Sequence, residues 1–283
     1  MDEAPATADW IPGRCVPVAP GVRRVLAPNP GHMTGPGTNT YLVGRERLVI
    51  LDPGPAIDSH VAAIVAAVAG ATVVAIAVTH THHDHSAAAA PLHAALGAPR
   101  RGAAPRHREF HDATFVADLP TGDGAILDTD VGELLAVATP GHASNHLCWF
   151  EPGERRLYTG DHVLGTVSPV ILPPDGDMSE YLDSLARIDA LAAQAILPGH
   201  GPVLEQPRAV IAALIRHRLM REQRVLAALQ DLGPASIEAL LPRVYADVDP
   251  ALHSVARYSL EAHLLKLEHE CRARLADGRW RAR

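Results

Sequence analysis

Up to about residue 206 the chain alternates short apolar runs with polar, glycine-containing turns, and beyond it long amphipathic stretches take over. Residues 39–43 and 48–51 are β-like runs either side of Gly44-Arg45-Glu46-Arg47, a pattern that predicts a hairpin ended by Asp52-Pro53-Gly54. A helix is predicted from Asp58 as N-cap through Val68, followed by a buried strand over 73–78. Further strands are predicted at 133–138, 146–150, 156–159 and 195–197. These runs end at turns rich in Gly, His and Asp, among them Pro140-Gly141-His142, Thr159-Gly160-Asp161 and Pro198-Gly199-His200. Strands of an α/β sheet that end in this way gather such groups at one edge.

From Pro207 the periodicity is helical. Residues 209–232, 236–245 and 250–275 predict three helices, the second capped by Ser236 with Glu238 in its first turn. Asp277-Gly278-Arg279-Trp280 predicts a tight turn into a short terminal strand. The expected organisation is a catalytic domain over 1–206 and a small, mainly helical winged-helix-like domain over 207–283. No repeat or low-complexity linker separates them, which predicts close packing. The 19 uncharged residues 61–79 are long enough to span a bilayer. Gly70-Ala71-Thr72 interrupts them and a polar cluster follows, so a helix and a strand are expected, with no membrane partner.

Composition refines this picture in three ways. Lys266 is the one lysine among 25 basic residues, a bias of GC-rich bacterial genomes. Cys15, Cys148 and Cys271 are odd in number and widely spaced, which excludes a disulfide framework and points to a reducing cytoplasm. Met1-Asp2-Glu3-Ala4-Pro5 is acidic and has no signal-peptide character. Residues 207–283 carry 13 basic and 9 acidic side chains, net +4, which leaves −11 on residues 1–206.

The chemistry concentrates at Val78-Thr79-His80-Thr81-His82-His83-Asp84-His85. With 17 histidines in 283 residues the average spacing is about 17, so this density is no accident of composition. Imidazole and carboxylate together suit borderline divalent metals. In an extended segment alternate side chains point the same way, so His80 and His82 can share one ion. The Gly-rich stretch 31–39 could cover such a site. No Lys or helix start follows it, which argues against a phosphate loop.

Read with His142, Asp161 and His200, these motifs resemble the metallo-β-lactamase superfamily of hydrolases, over roughly residues 20–205. The resemblance implies an α/β fold, a four-layer αββα sandwich. It implies that His80, His82 and His142 hold a first divalent ion, that Asp84, His85 and His200 hold a second, and that Asp161 bridges both. Zinc is the expected metal, with iron or manganese as alternatives set by supply. The oxygen-reducing di-iron members usually carry Glu where this chain has His82, which sets the chain apart from that branch. Two such ions can share a hydroxide of much lowered pKa. Asp84 is the catalytic candidate, orienting the attacking water or taking its proton. Asp52 is expected to hold a ligand His by hydrogen bond. Asn39, His146 and His162 are candidate substrate contacts, and Cys148 reads as core.

Fuller similarity, including the predicted winged-helix-like domain, points to the β-lactamase-like group of single-strand endoribonucleases and polyketide thioesterases. The leading function is hydrolysis of a small-molecule thioester, ester or lactone, which the acidic catalytic half favours. One alternative is an endoribonuclease that holds single-stranded RNA on the basic C-terminal domain; its aromatic content of 4% offers few stacking platforms. Another is a winged-helix regulator that binds nucleic acid, for which an intact ligand set would have no purpose. Oligomeric state is left open, a homodimer included.

Overall fold

The computed structural model describes residues 10–165 and 167–283; the acidic start at Met1–Pro5 lies outside the described residues. The β-like runs assemble into two sheets. The first has seven strands in sequential order: β1 (Cys15–Ala19), β2 (Val22–Leu26), β3 (Asn39–Val43), β4 (Arg47–Leu51), β5 (Thr72–Ala77), β6 (Arg100–Gly102) and β7 (Leu119–Pro120). β3 and β4 form the predicted hairpin, with Tyr41 opposite Leu51, and β5 to β7 then continue in parallel. The second sheet contains β8 (Ile126–Asp128), β9 (Glu133–Ala138), β10 (Leu147–Glu151), β11 (Arg156–Gly160) and β12 (Ala195–Pro198), with β12 parallel to β11 and the rest antiparallel.

Strict alternation along the strands explains how the sheets stack. Tyr41, Val43, Val49 and Leu51 of the first sheet meet Leu134, Leu147, Trp149 and Tyr158 of the second in one buried core. The intervening Leu42, Leu48 and Ile50 face the opposite way, against α1 (Asp58–Ala67) through Ile64. The short α2 (His83–Ser86) and α3 (Ala89–Leu96) follow β5, and Leu92 joins the same outer core. On the far side Cys148, Phe150 and Leu157 pack on Tyr181, Leu185 and Ile188 of α4 (Met178–Ala190). The result is the expected αββα sandwich, with Cys148 fully buried in it.

The C-terminal part comprises α5 (Pro207–Leu232), α6 (Ile237–Val244), α7 (His253–His269) and the hairpin β13 (Ala273–Ala276) with β14 (Arg279–Ala282). Ser236 caps α6 through the Ala239 amide, as predicted. Three details differ from the sequence reading. Asp58 is the first helical residue and Ile57 the cap, so the carboxylate acts within the first turn rather than before it. The third helical run is broken: a 3-10 turn spans Pro250–Leu252, α7 stops at His269, and Cys271 takes a left-handed φ of 59°. Leu275 lies in β13 opposite Trp280, where the cross-strand pair outweighs its helical propensity. Finally, β1, β2, β6, β7, β8 and α4 went unanticipated, although Asp177 and Glu180 stand at capping spacing and Asp177 accepts the Glu180 amide.

The expected boundary at 206/207 falls at the start of α5. Ile211 and Leu214 near the start of α5 belong to the outer core of the catalytic sandwich, whereas Val225 and Leu229 belong to the core of the C-terminal unit. One helix therefore threads both cores. Among the described residues no helix is long and apolar enough to cross a membrane, and residues 61–79 divide into α1 and β5 as expected.

Candidate metal centre

The His cluster begins where β5 ends, and its backbone explains its geometry. His82 is extended, with φ −68° and ψ 148°, and caps α2, so the chain changes from strand-like to helical in mid-motif. His80 and His82 project together, while Asp84 and His85 leave from the first helical turn. His80 Nε2 lies 2.9 Å from His82 Nδ1, which lies 3.1 Å from His142 Nε2. The other nitrogens of His80 and His142 are occupied: His80 Nδ1 faces the Thr79 hydroxyl at 3.0 Å and His142 Nδ1 faces the Val170 carbonyl at 2.7 Å. Two imidazole lone pairs therefore aim at His82 Nδ1, which can offer one proton at most.

A second group gathers beside the first. His200 Nε2 lies 3.3 Å from Asp84 Oδ2 and 3.3 Å from Asp161 Oδ1, and His85 Nε2 lies 3.2 Å from Asp161 Oδ1. His142 Nε2 approaches the other oxygen, Asp161 Oδ2, at 3.8 Å. Asp161 thus stands between the two groups. His85 Nε2, His200 Nε2 and Asp161 Oδ1 are buried without hydrogen-bond geometry to any described partner, despite their proximity. Converging lone pairs, orphaned nitrogens and an N/O donor set fit divalent cations better than they fit one another. Three sets could hold an ion: His80, His82 and His142; His80, His85 and Asp161; and Asp84, His85 and His200.

Asp52 anchors both groups from behind. Its Oδ2 lies 3.0 Å from His85 Nδ1, and its Oδ1 accepts the Thr79 amide at 2.7 Å. The Thr79 hydroxyl, also on Asp52 at 2.9 Å, meets His80. Asp52 adopts a left-handed φ of 50° at the end of β4 to do this. Glycine is demanded at position 199, where a Cβ would stand 2.6 Å from the His85 ring and 3.0 Å from Asp161 Oδ1.

Charge follows from the same crowding. Burial, then His85, His82 and His142, hold His80 well below the usual imidazole range, and burial with His142 takes His82 down to about 3. Burial would lift the Asp84 carboxyl, but His85 and His200 outweigh it and hold it at about 2. His85 is raised despite its burial because Asp161, Asp84 and Asp52 surround it. Neutral His80 and His82 and ionised Asp84 are in the protonation states that metal ligands require. His85, and His200 raised likewise by Asp161 and Asp84 despite burial, must give up a proton for an ion to bind.

Residues 33–200 match the family described as the metallo-beta-lactamase superfamily, and residues 236–280 match the beta-lactamase associated winged helix domain. The chain belongs to the metallo-beta-lactamase superfamily. As such it is a metal-dependent hydrolase. The atrochrysone carboxyl ACP thioesterase of Aspergillus fumigatus is 33% identical over 249 residues, covering 82% of this chain and 76% of that protein. The beta-lactamase-like protein 2 homolog of Drosophila melanogaster is 30% identical over 270 residues, 91% of either chain. A beta-lactamase domain protein from Burkholderia ambifaria shares the fold with a TM-score of 0.84 at 21% identity, over 98% of this chain and 96% of that one.

Within this superfamily fold a cleft of about 210 Å³ opens over the cluster, floored by His82, Asp84, His142, Asp161 and His200. The three residues expected to touch substrate do not line it. Asn39 is buried and donates to the Pro198 and Gly201 carbonyls, tying β3 to the His200 turn. His146 stacks behind His80 at 5.1 Å with its Nδ1 on Thr139, and His162 is buried between His146 and Tyr181. Both rings are buried, so neither reaches the cleft. His83 is exposed. Sequence reasoning missed His111, which stacks on His82 at 5.1 Å and bonds Thr81 and Asp175, both at 2.9 Å. It also missed Phe110, Val170 and Leu172, which wall the cleft together with Met33 of the Gly-rich stretch expected to cover the site.

Proposed function

We propose that the chain is a dinuclear acyl hydrolase acting on a small-molecule thioester, ester or lactone with an apolar acyl part. His80, His82 and His142 would hold one divalent ion, Asp84, His85 and His200 the other, with Asp161 between them. Zinc is the expected metal. Such ions, when bound, supply an acidified water nucleophile and a Lewis acid for the carbonyl. The chain's own residues do the rest. Asp52 and the Val170 carbonyl fix the ligand rings, and Asp84, ionised and 32% exposed at its side chain, orients a proton of the attacking water.

The observation that carries this reading is the wall of the cleft. Met33, Phe110, Val170 and Leu172 offer apolar surface, and neither Arg nor Lys is among the lining residues. With two ions bound, Asp84 and Asp161 would be offset at the floor, but the walls add no side-chain cation for the flanking phosphates of a nucleic acid, and Asp175 among them is acidic. The similarity to a thioesterase agrees with the choice. The test is to incubate the zinc-loaded protein with acyl-thioesters and lactones of graded chain length and, separately, with single-stranded RNA. Acyl turnover that Asp84→Asn abolishes supports the proposal. RNA cleavage that is lost in Asp84→Asn, with no acyl turnover, would overturn it.

A further inference from the structure

The buried stripe of α5 repeats at Pro207, Ile211, Leu214, Arg218, Arg221, Val225 and Leu229, the three-and-four spacing of a core-facing helix. Arg218 occupies a place in that stripe where an apolar residue is the ordinary choice. It is 3% exposed, and among the described residues no carboxylate pairs with its guanidinium. Its neighbour Arg221 has such a pair, with Asp247 at 2.8 Å. A buried cation without a counter-charge is expensive and is retained only where its hydrogen bonds matter.

Those bonds lead to the metal centre. Arg218 Nη2 donates to the Pro169 carbonyl, and its guanidinium lies over the Tyr181 ring, 5.2 Å from the centroid. The next residue in the loop, Val170, accepts His142 Nδ1 at 2.7 Å. Residues 167–170 have no strand or helix pairing of their own, so the side chain from α5 holds the peptide next to the one whose carbonyl orients His142. Tyr181, beneath the guanidinium, donates to the His162 carbonyl beside Asp161.

We infer that Arg218 is a positioning residue for the metal centre, a strut by which the helix shared with the C-terminal unit sets the ring of His142. The inference rests on His142 being a metal ligand, and its test separates the two claims. Cobalt(II) is loaded into the full chain, its visible absorption bands are recorded, and affinity is read by chelator competition. His142→Ala tests the ligand reading. An unchanged spectrum in that variant would remove the basis for a strut, and a changed one leaves Arg218 to be judged separately.

Arg218→Met is expected to shift the cobalt bands and weaken retention of one ion roughly tenfold, the low end of the effect of groups that orient ligands. Arg218→Lys, which keeps a charge and a donor, is expected to restore most of the affinity. Leu214→Ala, one turn away in the apolar contact, is expected to lower the melting temperature and leave the bands unchanged. Wild-type bands and affinity in folded Arg218→Met would overturn the inference. So would an equal loss in Leu214→Ala, which would make the effect one of general packing. If the Met variant does not fold, Arg218→Gln carries the same comparison, with the same overturning result.

Discussion

Replacing Asp52 by Asn removes one charge and almost no volume, and its consequences can be worked through atom by atom. In the native site Asp52 accepts from the Thr79 amide and hydroxyl and from His85 Nδ1, all between 2.7 and 3.0 Å. The Thr79 hydroxyl passes the constraint to His80 at 3.0 Å. One carboxylate therefore holds a proton on Nδ1 of both rings and turns both Nε2 atoms forward, that of His85 being free to bind once it gives up its second proton. The Asn amide can keep the bonds to Thr79, but its NH2 then confronts the Nδ1–H of His85, donor against donor. A hydrogen bond to a charged group is worth about 1.5–3 kcal/mol and a neutral one about 0.5–1.5 kcal/mol. Weakening two of them costs roughly 2 kcal/mol, or about 30-fold in affinity, inside the 10–100-fold range for groups that orient metal ligands. The assay is competition of the zinc-loaded protein with a chromogenic chelator, alongside urea unfolding of the metal-free form. Zinc affinity within twofold of wild type in folded Asp52→Asn would refute the reasoning.

Other outcomes follow from the same geometry. Gly199→Ala forces the His85 ring aside by its 2.6 Å clash, so hydrolysis should fall about 100-fold with far-ultraviolet dichroism unchanged; full activity would mean that the turn has slack. Phe110→Ala, at a residue 41% exposed on the cleft wall, should raise KM about tenfold for long acyl chains and leave kcat and short chains nearly unaffected. An equal effect on every chain length would remove Phe110 from acyl recognition. Burial holds His60 down at about 4 and His263 well below the imidazole range, so the unfolded chain binds their protons first on acidification. Their contribution to stability is complete above about pH 6.5 and is lost below it, at roughly 1.4 kcal/mol per pH unit for each. His263→Leu should accordingly flatten the fall in urea midpoint of the metal-free protein between pH 7 and 5; an unchanged slope would refute the assignment.

The candidate ligands, which the structure brings together, stood out in the sequence because each follows a strand whose alternation is readable and whose end is fixed by ladder hydrogen bonds. His80 to His85 follow β5, His142 follows β9, Asp161 follows β11 and His200 follows β12. Asp52 was legible for the same reason, at the end of β4. The cleft wall was not. Phe110 belongs to a single 3-10 turn and Val170 lies in a segment without regular structure, so their placement depends on long-range contacts that leave no period in the chain, whereas Met33 sits in the Gly-rich stretch expected over the site, in a turn closed by the Gly31–Gly35 bridge. The Arg218 bond to Pro169, across 49 residues, is one such contact. His146 and His162 failed differently. Each lies close in sequence to a candidate ligand, yet His146 stacks behind His80 and His162 packs against Tyr181 of α4, and no local pattern encodes which side of a strand end is buried. The anomaly that was readable, two arginines in the apolar stripe of α5, stood where the pattern was read as helix and nothing more.

The division of the candidate ligands between the sheets explains why a cluster of buried histidines is tolerated at all. The first sheet contributes His80, His82, Asp84 and His85; the second contributes His142, Asp161 and His200. Neither group is self-sufficient, since His82 needs His142, and His85 needs Asp161 and His200, to complete the sets that could hold an ion. Behind them the inter-sheet core of Tyr41, Leu51, Trp149 and Tyr158 brings the two sheet ends together before any ion arrives. Hydrophobic burial in that core offsets the desolvation of the imidazoles, so the site is formed at the expense of packing elsewhere rather than by metal alone. A site assembled in this way gains affinity from preorganisation. It is exposed to whatever shifts one sheet end against the other, and α5, seated on the second sheet and continuing into the C-terminal core, is placed to do that.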